Sequence, residues 1–118
     1  MSVSATGLLP LRDIQACCAP ITTATLSAED AARLAASLKA LADPARLRIL
    51  SIVAASEDQE TCVCNFTEPL ELSQPTVSHH LRVLVDAGLL EREKRGTWAY
   101  YRIVPGALEG IARTLLPA

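Results

Sequence analysis

The chain has 118 residues, a formal net charge of −2, four cysteines and only four aromatic residues, which fits one domain with one modest core and excludes a pair of large catalytic domains. A chain of this length buries roughly two thirds of its unfolded surface, leaving little interior for a deep substrate cavity. Its weakly acidic balance argues against an indiscriminate polycation, so any nucleic-acid contact must come from a local basic stripe.

The apolar half is mostly Ala and Leu, 19 and 18 residues, both strong helix formers, whereas β-branched and aromatic residues are few. A mainly α fold follows. Apolar runs fall far short of the roughly 20 residues that span a bilayer, and no basic segment precedes an apolar signal core. The expected location is the cytoplasm, with no membrane partner. In that reducing compartment four cysteines in two tight pairs, Cys17-Cys18 and Cys62-Val63-Cys64, point to metal-binding or reactive thiols rather than disulfides. Charge is segregated: residues 49–72 carry five carboxylates and no cation, and residues 73–102 carry five basic against three acidic side chains.

Residues 1–26 show no helical stripe longer than a turn and read as an arm that carries one cysteine pair; residues 27–118 form the domain. Ser27 with Asp30 resembles a capping box, and Leu34, Leu38 and Leu41 mark a helix of about four turns. Asp43-Pro44 stops it and starts a second helix, Ala45 to Ala55, with Leu47, Leu50, Val53 and Ala54 facing inward. An acidic loop, Ser56 to Glu60, leads to a short helix from about Cys62 to Pro69. After a tight turn, Ser73 caps a helix from Gln74 to Ala87, with Gly88 placed for a left-handed cap. Its inward stripe is Val77, Leu81, Leu84 and Val85, which leaves Thr76, His79 and Arg82 pointing away and Ser78 on the flank. Strands Leu89–Lys94 and Thr97–Val104 follow, joined at Arg95-Gly96. A last helix after Pro105 shows Leu108, Ile111, Ala112 and Leu115 on one face.

A short helix, a tight turn, a helix with a small-polar outer face and then a hairpin is a winged helix-turn-helix pattern, in which the second helix enters the major groove. Groove contacts are expected from Gln74, Thr76, Ser78, His79 and Arg82. Phosphate contacts are expected from Arg92, Lys94 and Arg95 at the wing. Striped terminal helices predict a dimer that buries Leu34, Leu38, Leu108, Ile111 and Leu115.

The run Leu72-Ser73-Gln74-Pro75-Thr76-Val77-Ser78-His79-His80-Leu81, followed by Leu84 and Ala87-Gly88-Leu89, resembles the recognition helix of the ArsR/SmtB family of metal-responsive transcriptional repressors. Leu38-Lys39-Ala40-Leu41-Ala42-Asp43-Pro44-Ala45-Arg46-Leu47-Arg48-Ile49-Leu50 is similar to another signature of that family, and Glu60-Thr61-Cys62-Val63-Cys64-Asn65-Phe66 to its cysteine metal box. The resemblance covers residues 27–116. It implies a winged-helix homodimer that binds a palindromic double-stranded operator without any cofactor and releases it when a toxic metal or metalloid binds, with an N-terminal arm reaching the metal box of the other subunit. Two positions depart from the family pattern: Glu71 stands where the turn usually has Gly, and Pro69 falls late in the metal-box helix, where it removes a backbone donor.

Thiolates select thiophilic ions, and both histidines lie on the recognition helix, so the expected inducer is As(III) or Sb(III), held by three thiolates drawn from Cys17, Cys18 and Cys62, with Cys64 as the fourth candidate. Either Cys62 and Cys64 both ligate, or only one does and the arm thiols complete the site. Three thiolates leave trivalent arsenic neutral, whereas four around a divalent ion leave a charge of −2, and no Lys or Arg lies within ten residues of Cys62 along the chain. Sensing of Cd(II), Pb(II) or Zn(II), or of thiol oxidation, is the alternative within the same fold. On an ideal helix Cys62 and Cys64 would point about 200° apart, so joint ligation is expected to distort the helix before the recognition helix. A cysteine-nucleophile phosphatase or arsenate reductase is excluded, because no Arg completes a Cys-x5-Arg loop: Thr23, Ala24, Glu68 and Leu70 occupy the position. A thiol metallochaperone is disfavoured by the lack of Cys-x-x-Cys.

Overall fold

The structure, a computed structural model, describes residues 25–116. Ser27 opens the first helix by accepting a hydrogen bond from the Asp30 backbone N–H at 3.1 Å, and α1 runs Ala28–Leu41. Leu34 is buried on it, while Leu38 and Leu41 are half-buried against the core. Asp43 then accepts from the Arg46 N–H at 3.1 Å and caps α2, Pro44–Ala55, whose proline occupies the first turn, where the missing donor costs nothing. The inward face of α2 differs from the expected one. Leu47 is 53% exposed and Ala54 is exposed, while Ile49, Leu50 and Val53 are buried. Adjacent apolar residues offered two stripes, and packing against the recognition helix and the sheet selected the one through Ile49 and Val53.

The segment after α2 is also not the expected helix. A 3-10 turn, Glu57–Gln59, leads into strand β1, Glu60–Cys62; a second 3-10 turn, Val63–Asn65, and the one-turn helix α3, Thr67–Leu70, follow. Strand β1 pairs antiparallel with a strand of the wing, Glu60 opposite Arg102 and Cys62 opposite Tyr100. That long-range pairing satisfies the backbone groups a helix would have paired locally. Phe66, between the second turn and α3, is completely buried.

Ser73 caps α4, Gln74–Asp86, and Val77, Leu81 and Leu84 bury its inner face. Its C-terminus closes as a Schellman motif around Gly88 at φ 79°, the Leu89 N–H bonding to the Leu84 carbonyl and the Gly88 N–H to that of Val85. Strands β2, Leu90–Arg95, and β3, Trp98–Ile103, form the hairpin, and Gly96 takes a positive φ of 62° at its turn. The wing is therefore a three-stranded sheet in the order β1-β3-β2, one strand more than expected. Helix α5, Ala107–Leu115, ends the described chain. Of the five residues expected at a dimer interface, Leu34 and Ile111 are already buried within the chain, Leu38 and Leu108 are half-buried, and Leu115 is exposed together with Leu116. Among the described residues no helix is long and apolar enough to cross a membrane.

Candidate functional site

Helix α4 presents Gln74, Thr76, Ser78, His79 and Arg82 on one exposed face, opposite its buried stripe. The Ser73 hydroxyl accepts from the Thr76 N–H and donates to the Thr76 side-chain oxygen at 3.0 Å, so the cap also orients the first outward side chain. Beside its buried stripe, the helix is tied to α1 and α2 by a contact that the sequence reading missed. Arg46 donates through Nε to the Ala40 carbonyl at 2.6 Å and through Nη2 to the Lys39 carbonyl at 3.2 Å, closing the end of α1, while its Nη1 lies 3.1 Å from His80 Nδ1 on α4. Asp43 lies 3.9 Å from the same imidazole nitrogen. The Arg46 N–H bonded to the Asp43 carboxylate, followed by the Arg46 and His80 charges, holds that carboxyl below its ordinary value. One guanidinium thus locks the end of α1, the start of α2 and the recognition helix together. The visible signal was Asp43-Pro44 as a cap; its partner 37 residues on had none.

The wing holds two kinds of cation. Arg92 and Lys94 are exposed and have no anionic partner among the described residues. Arg92 also lines, with Arg82, Ser78, Val85 and Tyr101, an open notch of about 260 Å³ between α4 and the wing. Two guanidiniums at such a notch can grip a phosphodiester where backbone leaves the groove. Arg95, by contrast, donates to both carboxylate oxygens of Glu60, at 2.6 and 2.9 Å, and to Glu93 at 2.8 Å, and its guanidinium lies 4.6 Å from the centre of the Tyr100 ring. Arg102 pairs with Glu91 at 2.9 Å. Trp98, also unforeseen, is half exposed beside the wing turn.

Cys62 is buried at the end of β1, and Cys64 is exposed in the turn that follows; both are free thiols. The Cys64 N–H bonds to Cys62 Sγ at 3.4 Å. The Cys64 thiol donates to Asn65 Oδ1 at 3.9 Å, and the Cys62 side chain beside it pushes that thiol above its ordinary value. The opposed helical directions expected for the two do not apply, because strand and 3-10 geometry stand in place of the α-helix and Cys62 Sγ accepts from the Cys64 backbone. Electrostatics differ from the linear reading as well: no cation is near Cys62 in sequence, yet the fold brings Arg95 and Arg102 to Glu60, two residues away. Among the described residues no group of three His, Cys, Asp or Glu side chains could hold a metal ion. Cys17 and Cys18 lie outside the described residues.

The model of the family described as bacterial regulatory protein, arsR family, matches residues 43–92, from the cap of α2 into the wing. The chain is 43% identical over 75 residues to an uncharacterized HTH-type transcriptional regulator of Methanocaldococcus jannaschii, covering 64% of this chain and 82% of that one. It is 41% identical over 73 residues to the arsenical resistance operon repressor of Bacillus subtilis, 62% of this chain and 68% of the relative. Among solved structures, the homodimeric winged helix-turn-helix DNA-binding domain of a possible ArsR-family regulator from Mycobacterium bovis superposes with a TM-score of 0.57 at 36% identity, covering 77% and 82% of the two chains. Capped recognition helix, three-stranded wing and matched relatives agree: the chain belongs to the ArsR family of DNA-binding transcriptional regulators and is not an enzyme.

Proposed function

We propose that the protein is a repressor that binds a palindromic operator as a homodimer while its thiols are free, and leaves DNA when As(III) or Sb(III) is held by Cys62 and Cys64 together with Cys17 or Cys18. The observation that carries this reading is the free cysteine pair at the end of a strand of the wing sheet, with Cys62 Sγ accepting a hydrogen bond from the Cys64 N–H at 3.4 Å. The name of the Bacillus subtilis relative, an arsenical resistance operon repressor, supports the choice of inducer. Such an ion supplies soft, thiophilic bonding, for which cysteine sulfurs are suited and carboxylates are not.

On the DNA side, α4 offers Gln74, Thr76, Ser78, His79 and Arg82 to base edges and nearby phosphates, and Arg92 and Lys94 add charge from the wing. Arg46 and His80 tie that helix to α1 and α2. On the thiol side, the backbone at Cys62 pairs with Tyr100, so a shift of β1 moves β3 and the wing with it. The route from thiols to DNA thus runs through the sheet, not through a distorted helix before α4. Leu108, Leu115 and Leu116 on and just beyond α5 supply apolar surface for a second copy, as the homodimeric Mycobacterium bovis relative supports.

A gel shift on DNA from upstream of the chain's own coding sequence tests the reading. Arsenite should release the wild-type protein, while Cys62→Ser should bind operator normally and stay bound. Release of Cys62→Ser by arsenite, or release of the wild type by Cd(II) alone, overturns the assignment of inducer and ligands.

A further inference from the structure

Four cations belong to the wing hairpin, and two of them are neutralised within the chain. Arg102 and Arg95 have carboxylates of the hairpin itself beside them, Glu91 and Glu93. Glu60 comes from a different strand. It meets the Arg95 guanidinium with both oxygens, at 2.6 and 2.9 Å, and stands 3.8 Å from Arg102. This fork-to-fork geometry is the one a guanidinium makes with a phosphodiester. The Arg95 side chain keeps 43% of its surface exposed and that of Glu60 keeps 21%, so the pair lies within reach of a competing anion.

We propose that Glu60 is an intramolecular competitor of the DNA backbone for Arg95, and that it sets how tightly the wing holds the operator. The proposal rests on the reading of the wing as a phosphate contact. A phosphate that takes Arg95 must displace a carboxylate already in place, and the freed carboxylate is left close to the DNA with Arg102 as its remaining cation. Both effects weaken the contact relative to a free arginine. Glu60 and Cys62 alternate onto the same face of one three-residue strand. Whatever restrains that strand at the thiols also restrains the hold of Glu60 on Arg95.

The test measures operator binding by fluorescence anisotropy over a series of salt concentrations, using the full chain as wild type, Glu60→Gln, Glu60→Asp, Arg95→Ala and the Glu60→Gln/Arg95→Ala double variant. Surface ion pairs are weak, so Glu60→Gln should tighten binding by only about fivefold at low salt. It should steepen the dependence of log K on log salt by up to about one phosphate's share. Glu60→Asp keeps the charge but is one methylene shorter and reaches Arg95 less well, and should fall between. In the Arg95→Ala background Glu60→Gln should tighten binding much less, leaving only the relief of the carboxylate's repulsion. Asp58→Asn makes the same change in net charge at an exposed residue with no ion pair among the described residues, and should shift affinity less than Glu60→Gln does. Unchanged or weaker binding by Glu60→Gln overturns the proposal. So does equal tightening with and without Arg95, which would mark a general charge effect. If Arg95→Ala alone leaves affinity and salt slope untouched, the wing reading itself fails and the proposal falls with it; loss of affinity in Arg95→Ala with no response to Glu60→Gln condemns the role of Glu60 alone.

Discussion

Helix α4 and the segment from Glu60 to Glu71 are neighbours in the chain and of similar length, yet they are held in place by different physics. Helix α4 has a Ser73 cap, a first-turn proline, buried residues at helical spacing and a Gly88 exit, so both of its ends are closed by local hydrogen bonds. Segment 60–71 has none of this continuity: three residues of strand, a 3-10 turn and a single helical turn. It is fixed from outside, by pairing with β3, by the buried Phe66, by a hydrogen bond from Arg48 to the Pro69 carbonyl at 2.9 Å, and by the Ser56 and Thr61 hydroxyls 2.6 Å apart. A region held by long-range contacts is the one whose shape can answer to a bound ion. A region held by its own caps can be carried as a rigid reader.

That contrast is open to attack, first through Phe66. If segment 60–71 owes its shape to packing, Phe66→Ala should cost about 3–5 kcal/mol, the range for large buried aromatics, seen as a lower urea midpoint for the whole domain. A loss under about 1 kcal/mol would show that the segment is held by something else. A second test concerns the reader. Arg82→Ala should cost about 1–3 kcal/mol in operator affinity if Arg82 makes a base contact, and should relax sequence preference there. Lys94→Ala should weaken all sequences alike and lower the salt slope by about one phosphate's worth. Equal behaviour of the two variants would assign Arg82 to the backbone, in keeping with the notch it shares with Arg92.

Smaller effects sharpen the comparison further. Glu71 ends α3 at φ 55°, ψ 38°, a left-handed conformation that costs a residue with a side chain about 1–2 kcal/mol, partly offset in glycine by its greater unfolded-state entropy. Glu71→Gly should therefore raise stability by about 0.5–1 kcal/mol, read as a higher urea midpoint with operator specificity unchanged. The smallest expected effect is acidic. Arg95, bonded to the Glu60 carboxylate, holds its pKa below the ordinary value near 4.5. The stabilisation is present above that ordinary value and is lost as pH falls through the lower folded value. Thermal unfolding below about pH 4.5 should accordingly be steeper in pH for the wild type than for Glu60→Gln.

The helical course was legible because its signals are local. Ser27, Asp43-Pro44, Ser73 and Gly88 mark ends by their own hydrogen bonds and backbone preferences, and the Val77, Leu81 and Leu84 stripe names an inner face that leaves the DNA-facing residues outside. The hairpin could be read for the same reason, to within a residue at its turn. What the chain could not announce locally was β1, since Glu60–Cys62 becomes a strand only when β3 supplies its hydrogen-bond partners. The direction of the cysteines and the Glu60–Arg95 pair follow from that arrangement, and the lock of Arg46 on His80 follows from the packing of α2 against α4. Each joins residues 34 or 35 apart or depends on a strand paired across some 40 positions, and no periodicity or spacing encodes a contact at that range. Sequence alone therefore determined α1, α2, α4 and α5, the hairpin and the exposed face of α4. Tertiary structure decided which cations are free for DNA and which strand joins the thiols to the wing, because charge pairing and strand pairing are settled by what the fold brings together.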